Sequence, residues 1–377
     1  MTVSIELPPR TRIPPGMLSS LVYLWLVFIT LYLIGLNRFH LMSIIGVIPP
    51  ILFLVIPIAV SALLILTRAS LRLLLLSVVG VALGATQVDI VMKKLDFDHY
   101  DPLGDVPVKI VNWNTAMWDD YKDPDAFFEY LISLDADVYV LQERLYDAST
   151  EKHLLAPDKY SAPHPITGVV TGFPDLYISI EDNSDLKRLF PAHHFAAHQQ
   201  FLVLSKYPIE QANLDPSDQF QVVDIRVGER VLRLFNVHIV MQFENFNPFS
   251  GSFYTGAKIK NSAREIGFAN LNEWIANTET FYLVAGDFNT ASNMGLMNRL
   301  RESHVDLFRY GVERIPKTFR ILGLRLWRID WLFIKKGSGL KILNFANEER
   351  GALSDHSAQT TLLGVPQGTR NDLMRVE

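Results

Sequence analysis

The segment TFYLVAGDFN (280–289) decides the fold class, because an apolar run of strand length ends abruptly in Asp287 and Asn289. Aromatic and β-branched residues are enriched in strands, and Gly next to Asp favours a turn. Similar runs recur along the C-terminal part of the chain, separated by polar turns. They cover residues 106–114, 136–143, 200–209, 220–227, 230–240, 328–335 and 357–364.

Two longer stretches have the apolar spacing of helices. They cover residues 124–134, which begin with Pro124, and residues 257–276. Many strands accompanied by few long helices predict two packed sheets with helices outside them. We therefore expect one α/β domain over residues 97–366, followed by a polar tail at 367–377.

Residues 1–96 have a different character, with three successive uncharged or nearly uncharged stretches at 17–36, 41–66 and 71–88. The first is long enough to cross a bilayer as a helix. The second contains three prolines, which membrane helices tolerate better than soluble ones. A cleaved signal peptide is the less favoured alternative, because no small-residue cleavage site follows the first stretch. The pattern predicts a membrane anchor of three transmembrane helices, with two as the alternative.

The charges of the two regions also differ. Basic residues exceed acidic ones by four in residues 1–96, whereas acidic residues exceed basic ones by nine in residues 97–377, and the chain has no cysteine. This excludes a wholly soluble protein, a disulfide-stapled domain and a strongly basic nucleic-acid binder. With the N-terminus inside the cell, four basic residues lie on the cytoplasmic side and three lie outside, and this slight excess favours that orientation. The four are Arg10, Arg12, Arg68 and Arg72. Three spans then place the C-terminal domain on the extracytoplasmic side.

Polar residues follow apolar runs at several predicted strand ends. A carboxylate in such a place is costly unless it is paired or binds a metal. Singly, each has an ordinary explanation, such as a hydrogen-bonded core histidine or an Asx-turn. Together they form an oxygen-rich set without sulfur, which suits Mg²⁺ or Mn²⁺ and leaves groups for acid–base chemistry on a phosphate. The set is Asn114, Glu143, His238, Asp287, Asn289, Asp330, Asp355 and His356.

The order N…E…H…GDFN…RID…SDH, over residues 106–364, resembles the endonuclease/exonuclease/phosphatase (DNase I-like) superfamily, which includes nucleases, inositol-phosphate phosphatases and neutral sphingomyelinases. The resemblance implies a four-layered α/β sandwich and a Mg²⁺-dependent hydrolase of phosphoric esters, with Mn²⁺ as a possible substitute. It implies that Glu143 is the principal metal ligand and that Asn114 and Asp355 complete the metal and phosphate environment. We interpret Arg264, on the helix before GDFN, as structural.

The same resemblance implies roles for the remaining residues. Asp287 would orient or deprotonate the attacking water, and Asn289 would hold phosphate oxygens. His356, oriented by Asp330, would stabilise the pentacovalent transition state or transfer a proton. His238 would contact the phosphate and protonate the leaving group in some members of the family.

The substrate stays open at this point. An acidic domain disfavours a nuclease, but basic residues between 314 and 328 keep nucleic acid as one alternative and a phospholipid or sphingolipid headgroup as the other. An inactive membrane scaffold is disfavoured, because it would have no reason to keep buried carboxylates. Residues 91–107, which reach at most about 60 Å, keep the domain near the bilayer, and no protein partner is predicted. The loop at 241–254 either packs on its own domain or dips into the bilayer interface; its aromatic residues are Phe243, Phe246, Phe249, Phe253 and Tyr254.

Overall fold

The computed structural model describes residues 14–36, 40–118, 124–147, 177–179, 183–243, 247–348 and 353–367. The chain forms two compact units, Met1–Asp89 and Ile90–Glu377. The second unit begins ahead of the boundary predicted at residue 97. Apart from Gln367, the predicted polar tail lies outside the described residues.

The N-terminal unit is helical. Its helices are α1 (Pro15–Gly35), α2 (His40–Gly46), α3 (Leu52–Leu66) and α4 (Leu71–Ala85). Among the described residues, Gly16–Gly35 is long and apolar enough to cross a bilayer, whereas α3 and α4 have 15 residues each. The predicted count of three spans, with two as the alternative, stays a prediction. The second predicted span divides before α3, because the rings of Pro49 and Pro50 and their missing N–H groups do not continue a helix.

Small residues allow α3 and α4 to pack closely. A Cβ atom at Gly84 of α4 would lie 1.9 Å from the carbonyl oxygen of Phe53 in α3, so only glycine fits there. The hydroxyl of Ser61 donates to the hydroxyl of Ser77 at 3.0 Å across the same pair of helices. Close backbone approach through glycine and an interhelical hydroxyl bond are typical of helices packed in membranes.

The C-terminal unit consists mainly of strands with a few helices. The helices are α5 (Pro124–Ser133), α6 (Ser184–Leu189), α7 (Gly251–Ala276) and α8 (Asn298–Ser303), with short 3₁₀ helices at Gly295–Met297 and Leu307–Arg309. The strands are β1 (Asp105–Asn114), β2 (Val138–Gln142), β3 (Leu145–Asp147), β4 (Tyr177–Ser179), β5 (His194–His198), β6 (Phe201–Ser205), β7 (Ile209–Leu214), β8 (Phe220–Val227), β9 (Arg230–His238), β10 (Phe281–Asp287), β11 (His304–Asp306), β12 (Phe319–Ile321), β13 (Leu324–Trp327), β14 (Asp330–Lys335), β15 (Lys341–Glu348) and β16 (Ala358–Pro366).

Two mixed six-stranded sheets form the centre of this unit. Sheet I has the strand order β15-β16-β1-β2-β6-β5, and sheet II has the order β11-β14-β10-β9-β8-β7. The pairs β1–β2 and β9–β10 are parallel, and the other pairs in these sheets are antiparallel. Two smaller pairs, β12–β13 and β3–β4, lie outside them.

The apolar side chains of the two sheets produce four layers. Inward-facing residues of both sheets, such as Val140 of β2 and Leu234 of β9, share one buried cluster. Helix α5 covers the outer face of sheet I, where Leu131 is buried with residues of that sheet. Helix α7 covers the outer face of sheet II in the same way through Phe268 and Leu271. The helix–sheet–sheet–helix order confirms the predicted four-layered sandwich.

Helix α7 begins earlier than the predicted start at residue 257. The hydroxyl of Ser250 accepts a hydrogen bond from the backbone N–H of Ser252 and caps the helix. Phe253 and Tyr254 are therefore helical, although the sequence predicted a loop as far as residue 254.

Residues 91–98, which we call the strap, belong to the C-terminal unit and lie against its other segments. The ring of Phe97 stacks on that of Tyr310, with centroids 5.8 Å apart. Part of the segment 91–107, which was predicted to connect the anchor to the domain, is therefore bound to that domain. Backbone N–H groups of the strap donate to three carbonyl oxygens: Val91 to Arg314 at 2.8 Å, Leu95 to Arg309 at 2.9 Å and Asp98 to Ile342 at 2.8 Å.

Candidate active site

Side chains that face the space between the sheets change from apolar to polar toward one end of each strand. Alternate residues of a strand point to the same face, so the change follows one side of each strand. Polar groups from several strands consequently meet at one edge of the sandwich. The series are Val108, Ile110, Asn112 and Asn114 on β1; Leu232, Leu234, Asn236 and His238 on β9; and Leu283, Ala285 and Asp287 on β10.

Strand register places the predicted residues side by side. In sheet II, Asp287 of β10 lies between His238 of β9 and Asp330 of β14, and all three are directly paired. In sheet I, Asn114 pairs with Gln142, and Glu143 is the next residue. The fold therefore brings together residues that are far apart in the sequence.

Asn114 joins the two sheets at the site. Its amide nitrogen donates to Glu143 Oε1 at 2.9 Å and to Asp287 Oδ2 at 3.0 Å. Its amide oxygen accepts from the backbone N–H of Ala116 at 3.1 Å. In this arrangement Asn114 orients two carboxylates. Its predicted part in the metal environment stays a prediction.

Asp287 occupies the centre of the site. Its carboxylate accepts from the backbone N–H of Asn289 at 2.7 Å and from the side-chain amide of Asn289 at 3.2 Å. Burial raises the pKa of Asp287 to about 8; the charge of His356 opposes this shift, and those of Asp330 and Glu143 add to it. An ionised Asp287 consequently needs a nearby cation.

His356 is paired with a buried carboxylate. Its Nδ1 lies 3.0 Å from both carboxylate oxygens of Asp330, which is fully buried, and its Nε2 lies 3.7 Å from Asp287 Oδ2. Burial lowers the pKa of His356, but the charges of Asp330 and Asp287 outweigh burial and leave that pKa well above 6.5. His356 is therefore a cation at neutral pH, and Asp330 fixes the orientation of its ring.

His238 has a neutral partner instead. Its Nδ1 donates to the side-chain oxygen of Gln200 at 2.5 Å, which leaves Nε2 as an acceptor. Nε2 lies 3.4 Å from Glu143 Oε1 and 3.7 Å from Asp287 Oδ2. Burial, followed by the charge of His356, lowers the pKa of His238 to about 3. Its side chain is therefore neutral at physiological pH.

The donor atoms fit a hard divalent cation. One ligand atom each from Glu143, His238 and Asp287 lies within 4.8 Å of the others. Asp287, Asp330 and His356 are equally close to one another, but a cationic His356 has no lone pair for a metal. In the first group, a histidine lone pair and two carboxylates face one another, an arrangement that a cation between them would stabilise. The two carboxylates of this group suit Mg²⁺ or Mn²⁺, which prefer oxygen ligands.

Asp355 stands apart from both groups. Its side chain is half exposed, and its Oδ1 lies 3.8 Å from His356 Nε2. It is close enough to face a phosphate bound beside His356. Its predicted part in the metal environment stays a prediction.

A layer of buried amides beneath the site was not recognised in the sequence. The amide nitrogen of Gln142 donates to Asn112 Oδ1 at 3.0 Å and, across the sheets, to Asn236 Oδ1 at 2.7 Å. Asn112 in turn donates to Gln359 at 2.7 Å, and all four side chains are fully buried. The alternation that carries His238 and Asn114 inward could have revealed Asn236 and Asn112, because they lie two residues before them.

Arg264 lies in the core of the unit. Its guanidinium donates to the carbonyl oxygen of Val240 at 2.5 Å and to the hydroxyl of Thr290. Burial lowers its pKa to about 9. Arg264 thereby joins the segment after His238 to the segment after Asn289, in agreement with a structural role.

The aromatic segment at 241–254 divides into packed and exposed parts. Phe253 is buried, and its ring lies 5.2 Å from that of half-buried Phe243. Phe249 is 96% exposed and Tyr254 is also exposed. Phe246 lies outside the described residues. At least part of this segment therefore packs on its own domain.

The profile of the endonuclease/exonuclease/phosphatase family matches residues 111–356, a range that contains every predicted site residue. The chain belongs to this family and is a hydrolase of phosphoric esters. The match confirms the resemblance seen in the order of the sequence motifs.

Solved structures with a similar chain include an endonuclease/exonuclease/phosphatase from Bacteroides vulgatus, with 15% sequence identity, a TM-score of 0.44 and coverage of 68% of this chain and 98% of that one. ANGEL2, a 2′,3′-cyclic phosphatase, has 11% identity, a TM-score of 0.42 and coverage of 72% and 98%. A Staphylococcus aureus beta toxin mutant with bound magnesium ions has 13% identity, a TM-score of 0.40 and coverage of 68% and 99%. No curated protein sequence matches this chain.

Proposed function

We propose that the chain is a membrane-anchored, Mg²⁺-dependent phosphodiesterase. The observation that carries the metal dependence is the group formed by Glu143, His238 and Asp287, in which three acceptor atoms lie within 4.8 Å of one another. Mg²⁺ bound there would neutralise charge on phosphate oxygens. Glu143 is the proposed main ligand, and Asn114 holds its carboxylate in place.

The chain's own groups supply the remaining chemistry. Asp287 is placed to orient and deprotonate a water molecule, because its carboxylate is held by Asn289 and Asn114. His356, kept cationic by Asp330, faces the same point and would stabilise the charge that develops on the phosphate. Asn289 would bind a phosphate oxygen through its side-chain amide.

Replacement of Glu143 tests the metal assignment. Glu143→Gln keeps the size of the side chain but removes its charge, so Mg²⁺-dependent hydrolysis should fall by at least about a thousandfold with an unchanged fold. Glu229→Gln, the same change at an exposed turn, is the matched control and should keep full activity. Full activity in Glu143→Gln, measured on bis-p-nitrophenyl phosphate, would remove Glu143 from the site.

Membrane anchoring is supported by the surface of the N-terminal unit. Leu24, Val27 and Leu31 of α1 are all exposed, and the helix has no charged residue. A lipid environment would cover such a surface. We further propose that the catalytic unit lies on the extracytoplasmic side, as an odd number of spans with the N-terminus inside requires.

A reporter fused after Glu377 tests the side of the membrane. Alkaline phosphatase should be active and green fluorescent protein dark, because the former needs export and the latter fails to mature there. Fusions after Arg10 should give the reverse pattern. A fluorescent C-terminal fusion would show that the catalytic unit faces the cytoplasm.

A further inference from the structure

The hairpin β12–β13 has an unusual tip. The strands are joined by Leu322 and Gly323, whose φ angles are 49° and 77°. Two positive φ angles define a type I′ turn, in which Asn, Asp or Gly is preferred at the first position. A leucine there is strained, and Leu322 is also 96% exposed. The chain thus keeps an apolar side chain at a position where both backbone and solvent disfavour it, which points to a function.

The base of this hairpin is attached to the catalytic segment. The backbone N–H of Arg320 donates to the carbonyl oxygen of Asp355 at 2.9 Å, and that of Ser357 donates to Thr318 at 2.8 Å. The ring of Phe319 lies 4.8 Å from the ring of His356. Whatever binds the tip is therefore held next to the proposed site.

Charge indicates what the tip contacts. Arg320 and Arg325 are directly opposite each other on the two strands, one pair below the tip. The guanidinium of Arg325 also lies 3.6 Å from Glu313 Oε1 and donates to the carbonyl oxygen of Lys317, which holds this basic pair in place. Ile321 and Leu324 form the pair between the two arginines and the turn, and both are exposed. Apolar residues followed by a basic layer match the interface of an anionic bilayer, where acyl chains lie beneath negatively charged headgroups.

We propose that residues 321–324 insert into the interface of an anionic bilayer and present the site to phosphodiesters in that lipid surface. A bilayer is the favoured occupant because the chain carries its own apolar helix of membrane-spanning length. The choice of lipid substrate rests on the proposed phosphodiesterase activity, whereas insertion of the hairpin does not.

A spin label at the tip tests insertion directly. The chain has no cysteine, so Leu322→Cys and Glu229→Cys each provide one labelling site in the full-length protein. Glu229 is the control because it is exposed and lies in the turn before β9, whereas His238 ends that strand. In nanodiscs with anionic lipid, the label at 322 should become accessible to oxygen and shielded from a water-soluble relaxation agent, while the label at 229 should stay in water.

Two results of this measurement would overturn the proposal. Equal water accessibility of both labels would show that the hairpin does not meet the bilayer. Dipolar broadening at 322, independent of lipid composition, would show that the tip contacts a second copy of the chain. In nanodiscs of purely zwitterionic lipid, the label at 322 should lose this shielding, because Arg320 and Arg325 then have no anionic headgroups to contact.

Leu322→Asn separates the role of the hairpin from its folding. Asn accepts the left-handed backbone of the turn, so the variant should unfold at a temperature no lower than that of the natural chain. The ratio of turnover on a vesicle-borne phosphodiester to turnover on a small soluble one should fall by about tenfold. An unchanged ratio would contradict the proposal. If the natural chain hydrolyses neither substrate, the proposed function fails, and the spin labels still decide whether the hairpin inserts.

Discussion

The surroundings of His238 and His356 differ in one partner and therefore in charge. The Nε2 atom of each histidine lies 3.7 Å from Asp287 Oδ2. Behind His356 is the carboxylate of Asp330, whereas the amide oxygen of Gln200 lies behind His238. The pKa of His356 lies well above 6.5, and burial holds that of His238 at about 3. Two otherwise similar imidazoles thus become one cation and one neutral acceptor.

This difference assigns separate tasks to the two residues. A cationic His356 stabilises negative charge or donates a proton, whereas a neutral His238 offers a lone pair toward Glu143 and Asp287. The sequence had suggested His238 as a proton donor to the leaving group. Burial lowers the pKa of His238 and so favours its neutral form, and the predicted contact with the phosphate stays a prediction.

The largest effect is expected from Asp330→Asn, which gives His356 a neutral partner like that of His238. Loss of the carboxylate should lower the pKa of His356 and reduce kcat by about a hundredfold to ten-thousandfold, as for other buried carboxylate–histidine pairs. As the pH rises, His356 should then lose its proton earlier, so the alkaline limb of the pH–rate profile should move to lower pH than in the natural chain. Asp185→Asn, on exposed α6, is the control. An unchanged profile would show that Asp330 does not set the charge of His356.

A smaller effect concerns the carboxylate that both histidines share. The pKa of Asp287 is about 8 in the folded chain, against an ordinary value of 3.8. As the pH rises, Asp287 loses its proton at a lower pH in the unfolded chain than in the folded one. Between about pH 4 and 8 the folded state therefore binds more protons, and metal-free stability should fall with rising pH. We expect a loss on the order of 1–3 kcal/mol, typical of a buried group without its partner.

Thermal unfolding in EDTA and in Mg²⁺ at several pH values measures this loss. Mg²⁺ should restore more stability at pH 8 than at pH 5. Asp287→Asn should lose activity, and its metal-free stability should fall less with rising pH than that of the natural chain. A metal-free stability that rises across the same range would exclude the unusual pKa of Asp287.

The smallest expected effect comes from Gln200→Glu, which gives His238 a carboxylate partner like that of His356. The pKa of His238 should rise, and its Nε2 should then carry a proton instead of accepting. We expect the apparent affinity for Mg²⁺ to fall about tenfold near pH 6 and to recover at higher pH, because deprotonation restores the acceptor. NMR titration of His238 measures the pKa shift. Equal Mg²⁺ affinity near pH 6 and at higher pH would show that His238 does not contribute to Mg²⁺ binding.

The sequence indicated residues that the fold brings together, because period-two alternation and strand ends are local features. Asp287 and His238 each follow an apolar run, and parallel pairing of β9 with β10 then places them together. Gln200 gave no such signal, since it lies in the turn between β5 and β6 and reaches His238 only through the tertiary fold.

Other features were missed for similar physical reasons. The hairpin β12–β13 has only three and four residues in its strands, too few for a clear alternation. The break between α2 and α3 was missed, because hydropathy alone does not show that Pro49 and Pro50 interrupt a helix. The early start of α7 depended on a cap at Ser250 within an aromatic segment.

The strap also determines how the catalytic unit responds to mechanical load. Tension applied through Ile90 would act on the hydrogen bonds of Val91, Leu95 and Asp98 one after another, as in peeling, because they follow each other along the chain. Strand β1, paired on both sides with β16 and β2, would be loaded in shear only after the strap is released. Single-molecule stretching from the N-terminal side should therefore show a low-force event, in which the strap is released, before the sandwich unfolds.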